Sequence, residues 1–339
     1  MENKLVVGVI GLKMGKNHLE AAIKYGAKAG AICDTLESTL NAVGDEYNIP
    51  ADKRFLDYRD VVDNKDINAV IIATPDQLHR QMILDFLAAG KHILCEKPLA
   101  LTRDDLKTII AAVRKYDHKF MAGQICRFTP AFVKAKEIID AGIIGDLYYV
   151  ESEYAHDYAH ILGDPENWRA DPIRHGVIGG GCHPVDLLRW FAGDPEEVFA
   201  YGTHKMMPHL CYDDATISVL KFPNNIIGKV FVSIACKRNY TMRTLIYGTK
   251  GTIICDNTSS TMQLFSTEDE GRMAAKPQII EVEVNDHNAV REFAVFADAI
   301  LNDTSIEMSA GEGAKTVAVC LAIVESSQIG KPVNPDYNF

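Results

Sequence analysis

The chain has 339 residues, 47% hydrophobic and 24% charged, with a net charge of −11. That length holds two domains, and that composition belongs to a soluble globular protein. The acidic balance excludes nucleic acid as the main partner, and no apolar run reaches the length of a membrane span.

The first 125 residues alternate strand and helix. Leu5 to Ile10 is a continuous apolar run, as a strand buried on both faces requires, and a helix is predicted from about Gly15 to Tyr25. Ala29 to Cys33 is the second strand, followed by a helical stripe of Leu36, Leu40, Val43 and Tyr47. Asn68 to Thr74 is a further buried strand, Gln77 to Ala89 a helix, and His92-Ile-Leu a short strand. Thr102 reads as an N-cap with Asp104 and Asp105 in the first turn, and Lys119 to Gln124 closes the sheet. Such alternation predicts a parallel, doubly wound sheet of the Rossmann kind over 1–125, in an α/β protein.

From 126 to 339 the pattern changes to an α/β domain with a large, open, mostly antiparallel sheet. A helix over 131–141 precedes strands at 147–155, 215–222, 226–237, 241–248, 252–256 and 278–284. Pro223-Asn-Asn225 and Gly248-Thr-Lys-Gly251 are the hairpin turns, and two helices, 290–301 and 310–329, finish the chain. The strand at 226–237 carries apolar side chains on both faces. One face covers helices, and the other calls for a second copy of the chain, so a homodimer or homotetramer is expected. The eight cysteines are scattered without a C-x-x-C pair and read as reduced core residues of a cytoplasmic protein. No basic n-region or cleavage site marks the N-terminus as a signal peptide.

Two constellations carry chemistry. Gly11-Leu12-Lys13-Met14-Gly15 lies between the first strand and its helix, where a dinucleotide pyrophosphate rests on helix N–H groups. As a fingerprint it is imperfect, because Lys13 stands where G-x-G-x-x-G requires glycine and Gly15 comes one residue early. Asp34 ends the second strand, where a carboxylate accepts from the adenosine ribose and repels a 2′-phosphate. That selects NAD. Thr74, Pro75 and His79 end the next buried strand and are candidates for the nicotinamide half, although His79 by itself reads as a helix-surface histidine.

Glu96-Lys97-Pro98 follows the short strand His92-Ile-Leu, at the carboxyl edge where such sheets bind ligands. Pro98 restrains the backbone and is a candidate for a cis bond, so Lys97 is aimed. Oxidising a secondary alcohol sends a hydride to a nicotinamide and a proton to a base. Beside an oxidised nicotinamide the Lys97 pKa falls, and the amine takes the proton or steadies the alkoxide. In the second domain, Gly179-Gly180-Gly181-Cys182-His183 opens a helix, with Asp186 one turn on. His183 is placed to share that proton. Tyr154, His156, Trp168, Arg169 and His175 precede the glycines and suit a polyhydroxylated ligand. A zinc set of His156 and His160 with Cys182 or His209 matches no standard spacing, so no metal is expected.

Together these stretches resemble the glucose–fructose oxidoreductase and inositol dehydrogenase family (Gfo/Idh/MocA). The matching pieces are Gly8 to His18, Glu96-Lys97-Pro98-Leu-Ala100, Arg127-Phe-Thr-Pro130, Gly142-Ile-Ile-Gly145, His183-x-x-Asp186 and Gly248-Thr-Lys-Gly251. The resemblance implies an NAD- or NADP-dependent oxidoreductase acting on CH–OH groups of sugars, sugar derivatives or cyclitols, with proton transfer by Lys97 and His183. It places Glu96 and Arg127 beside the cofactor and Asp186 beside the substrate. The acid that many members carry four residues before the histidine is here Gly179. Two other functions remain open on sequence: a glycoside-cleaving enzyme that oxidises transiently and eliminates with tightly held NAD, and a non-enzymatic nucleotide or sugar sensor.

Overall fold

The computed structural model describes residues 5–164, 166–266 and 276–339. They divide into two units. The first comprises residues up to Ile125 together with Asn288–Ala314 and Asn338–Phe339; the second comprises Cys126–His287 and Lys315–Tyr337.

The first unit opens with β1 (Val6–Ile10), α1 (Leu12–Tyr25), β2 (Lys28–Cys33), α2 (Glu37–Glu46), β3 (Arg54–Phe55) and α3 (Arg59–Val62). It continues with β4 (Ala69–Ile72), α4 (His79–Ala88), β5 (His92–Glu96), α5 (Arg103–Lys115) and β6 (Phe120–Gly123). The six strands form one sheet in the order β3-β2-β1-β4-β5-β6, and every pairing is parallel. This is the Rossmann order, which puts the ligand-binding edge at the carboxyl ends of the strands. All four residues of β4 and of β6 are buried, as expected of strands covered on both faces. Thr102 caps α5 by accepting from the Asp105 N–H at 3.1 Å, with acids in the first turn and Arg114 and Lys115 in the last. The helix Ala289–Leu301 also belongs to this unit and packs against α1.

The second unit begins with α6 (Pro130–Asp140), β7 (Leu147–Ala155), α7 (Ala159–Leu162), α8 (Gly176–Gly179) and α9 (Cys182–Ala192). Then come β8 (Glu197–Thr203), β9 (Ala215–Phe222), β10 (Ile226–Ser233), β11 (Thr244–Gly248), β12 (Gly251–Cys255), β13 (Thr261–Ser266) and β14 (Gln278–Glu281). The two C-terminal helices are α10 (Ala289–Leu301) and α11 (Ala310–Ile329). The eight strands run β14-β13-β12-β11-β7-β10-β9-β8, antiparallel except for β7 beside β10. α9 packs on β7 and β10. The opposite face exposes Ile217, Val219, Ile227 and Tyr201.

Several boundaries differ from the sequence reading. α1 starts at Leu12, three residues early, because Leu12 is itself buried against the core. β10 stops at Ser233 rather than Lys237, although the Ile234 N–H still donates to the Asp214 carbonyl one step further along the β9 register. β11 starts at Thr244. The strands β3, β8 and β13 went unread: β3 has two residues, and β8 and β13 mix small and polar residues among apolar ones. Lys97-Pro98 is cis.

Candidate active site

In the first unit the turn after β1 is built by Gly11. Its φ is +85°, and a Cβ there would meet the Ala73 carbonyl oxygen at 2.7 Å. Gly11 is also the N-cap of α1 and has no side chain of its own to close that helix end. Lys13 and Met14 stand exposed in its first turn. Asp34 Oδ2 accepts from the Leu12 N–H at 2.8 Å and Oδ1 from Leu36 N–H at 2.9 Å. The carboxylate therefore fixes the end of β2 to the start of α1 and holds a negative charge beside the turn.

At the end of β5, Lys97 is half-buried and its N–H donates to Glu96 Oε2 at 3.1 Å. His79 is a correction to the sequence reading. It is fully buried rather than on the helix surface, with Nδ1 2.9 Å from the Pro98 carbonyl and Nε2 3.1 Å from the Thr74 carbonyl. It ties the strand end carrying Thr74 and Pro75 to the loop carrying Lys97. A ring with one N–H donates to one of those two carbonyls at a time.

Behind Lys97 lies a buried group of three that sequence did not reveal. His18 Nε2 donates to Glu96 Oε1 at 2.8 Å, and His18 Nδ1 lies 3.7 Å from Glu292 Oε2. Burial works against the His18 imidazolium, but the hydrogen bond and charge of Glu96, with Glu292 beyond, outweigh it and raise its pKa. Burial likewise opposes the Glu96 charge, yet His18 and then Lys97 bring that carboxyl down to about 2. Glu292 has no such hydrogen bond, so burial pushes it up to about 8, with Glu96 adding to the rise. At neutral pH Glu96 is a carboxylate and Glu292 a neutral acid, so the His18–Glu292 contact is not an ion pair there. Gln124, just past β6, also keeps its side-chain amide buried with no hydrogen-bond partner among the described residues.

These shifts set a pH dependence. Folded Glu292 keeps a proton that the unfolded chain gives up, so its contribution is full below the unfolded value and is lost as pH rises through about 8. Glu292→Gln removes this dependence. The stability of the variant relative to wild type should therefore rise between about pH 5 and about pH 9, read from urea midpoints, and a constant difference would contradict the assignment.

In the second unit the glycine run leads into α9, and His183 is 3% exposed in its first turn. The N-cap is Gly181, so His183 is not the capping residue. Its Nδ1 lies 3.3 Å from Cys126 Sγ, and its ring stacks with Tyr154 at 6.2 Å between centroids. His156 Nδ1 lies 3.3 Å from the Tyr154 hydroxyl, its ring packs on Tyr158 and Tyr240, and burial lowers its pKa. Burial pushes the Tyr154 and Tyr240 phenols well up, so both stay protonated donors.

Asp186 and Arg127 pair with each other. Arg127 Nε and Nη2 donate to the two Asp186 oxygens at 2.7 and 2.8 Å, Thr316 Oγ1 donates to Oδ1 at 2.9 Å, and Asp186 is 1% exposed. That geometry has Asp186 anchor α9 through Arg127 and Thr316. His175 accepts the Val177 N–H through Nδ1 at 3.1 Å and so caps α8, with Nε2 at 3.8 Å from Asp213. Arg169 and Arg174 lie 4.2 and 5.0 Å from the Trp168 ring. Gly179 also has a physical reason. The Arg174 guanidinium sits within 2.3 Å of where its Cβ would be, so that space holds a cation in place of a carboxylate. Tyr154, Tyr158, Arg169 and Arg174 line a pocket of about 10 Å³, room for one water and too small alone for a sugar ring.

Residues 5–124 match an oxidoreductase family with an NAD-binding Rossmann fold, and residues 132–254 match the GFO/IDH/MocA C-terminal domain. The chain is 29% identical over 99% of its length to the uncharacterized oxidoreductase YrbE of Bacillus subtilis, covering 98% of that protein. It is 30% identical to inositol 2-dehydrogenase of Salmonella typhimurium, over 73% of this chain and 72% of the other. A solved structure of levoglucosan dehydrogenase with NADH and levoglucosan shares the fold, with a TM-score of 0.89 at 24% identity, over 98% of this chain and 100% of that one.

Proposed function

The chain belongs to the Gfo/Idh/MocA family of NAD-binding oxidoreductases, and from that premise we propose that it moves a hydride between NAD and a secondary alcohol of a sugar, sugar derivative or cyclitol. The observation that carries this reading is Lys97, half-buried at the carboxyl end of β5 and fixed through Glu96 and the His79–Pro98 tie. A screen of sugars and inositols for NADH absorbance tests it. Growth of absorbance with at least one polyol is expected, and silence across the panel under both cofactors would sink the proposal.

The residues around α1 fit the cofactor. The helix end at Gly11 offers N–H donors to a pyrophosphate, and Asp34 sets a negative charge at the end of β2. Bound NAD supplies the hydride acceptor. Lys97 takes the hydroxyl proton or steadies the alkoxide, and His183 is the proton-handling candidate of the second unit. Lys97 keeps its place because Glu96 is itself held by His18.

Two expectations follow. Because a 2′-phosphate would be repelled by Asp34, NAD binds more tightly than NADP; titration of both checks this, and equal or tighter NADP binding would refute it. His183→Asn should cost about 10²–10⁴-fold in kcat with little change in KM, and flatten the pH profile in the imidazole range. Unchanged kcat in a stable variant would remove His183 from the mechanism.

The exposed sheet face with Ile217, Val219 and Ile227 supports assembly as a homodimer or homotetramer through that face. Sedimentation giving a single monomeric species at micromolar concentration would count against it.

A further inference from the structure

The sequence spacing gave no metal set, yet the second unit brings one together from three separate segments. Cys126 lies in the turn before α6, His183 in the first turn of α9, and His287 after β14. One ligand atom from each lies within 4.8 Å of the other two. Cys126 and His183 are buried, and His287 is exposed.

The geometry suits a tetrahedral ion. Zn–S of about 2.3 Å and Zn–N of about 2.0–2.1 Å put a sulfur and a nitrogen on one zinc about 3.5 Å apart. Cys126 Sγ and His183 Nδ1 are already 3.3 Å apart. His287 is the exposed member, its ring 5.8 Å from that of His183 between centroids. Its segment is tied down by neighbours in the same unit: the Thr129 hydroxyl donates to the Asp286 carbonyl, and Asn257 Nδ2 donates to Asp286 Oδ1 at 2.9 Å. The Asp286 carboxylate lies 3.9 Å from His287 Nε2 and adds negative charge beside the site. The second sulfur nearby, Met242 Sδ at 3.7 Å from Cys126 Sγ, makes the surroundings soft.

We propose that Cys126, His183 and His287 form a site for a zinc-type divalent ion, with the fourth position left to water. Binding releases the Cys126 thiol proton to solvent. It also occupies the His183 imidazole, so bound metal and proton sharing by His183 exclude one another. This second consequence rests on the dehydrogenase reading; the binding itself does not.

The test titrates the metal-stripped full chain with Zn²⁺ against a chromophoric chelator, in wild type, Cys126→Ser and His287→Gln. The expected result is one zinc per wild-type chain, bound more weakly in each variant by more than the about 10–100-fold typical of losing an outer-sphere partner. Co²⁺ added to wild type should give a thiolate-to-cobalt charge-transfer band, which needs no variant to fold. Zn²⁺ should also inhibit turnover of wild type at concentrations that leave Cys126→Ser active. Absence of stoichiometric binding to wild type, or binding undiminished in Cys126→Ser, would overturn the proposal and leave a thiol–imidazole hydrogen bond. Zinc binding with the charge-transfer band in a protein that turns over no polyol would uphold the site and fail the dehydrogenase reading instead.

Discussion

Lys97→Met should lose about 10²–10⁴-fold in kcat, the usual contribution of a general acid–base group, while NADH binding stays at the wild-type level. Methionine keeps much of the length and the apolar stem of lysine, so the peptide geometry next to Pro98 is preserved. What disappears is the amine. Backbone groups also hold this loop: Lys97 contributes its N–H to Glu96, and Pro98 its carbonyl to His79. The same change removes one of the charges that lower the Glu96 carboxyl, but His18 remains the larger influence, so Glu96 stays ionised. Parallel measurement of kcat and of NADH binding separates chemistry from cofactor affinity. A variant with near-full turnover would show that Lys97 shapes the loop and does no proton transfer.

Arg127→Met should be the most destabilising of the substitutions considered. It leaves the Asp186 carboxylate, 1% exposed, without its two-pronged partner. Removing one partner of a buried pair typically costs about 3–5 kcal/mol. Thr316 still donates to Asp186, and Arg189 lies 3.8 Å away, which places the loss toward the lower end of that range. The double variant Arg127→Met with Asp186→Leu removes both charges and should recover most of the stability, since apolar replacements of buried pairs are often neutral. Urea midpoints of the two single variants and the double variant decide it. An Arg127→Met protein as stable as wild type would mean the pair contributes nothing to holding α9.

The fold was largely legible because its main signals are local. β7 at Leu147–Ala155, β9 at Ala215–Phe222 and α11 at Ala310–Ile329 fall where their patterns placed them. The hairpin turn at Pro223–Asn225 contains Asn224 and Asn225 at φ of 60°, the conformation asparagine tolerates. The two-residue β3 has too few residues for any period to show.

The site was legible only in part, for a different reason. Glu96-Lys97-Pro98 is a contiguous motif at a strand end, so its meaning survives in one dimension. His18, Glu96 and Glu292 come from three distant segments, and alone each reads as an ordinary polar residue. Only the fold shows that Glu292 is fully buried against His18. Cys126, His183 and His287 are separated in the same way. For Asp186 the sequence shows a carboxylate one turn after a histidine, and only the fold shows its partner Arg127, 59 residues away.

The central claim is hydride transfer from a carbinol carbon to NAD, and isotope tracing tests it most directly. The polyol found by the screen is labelled with deuterium on the carbon to be oxidised, and the reduced cofactor is examined by NMR. The account predicts deuterium on the nicotinamide ring, with its appearance slowed about 10²–10⁴-fold in Lys97→Met. Deuterium that stays on the sugar carbon or exchanges into solvent, with none on the nicotinamide ring, would contradict it.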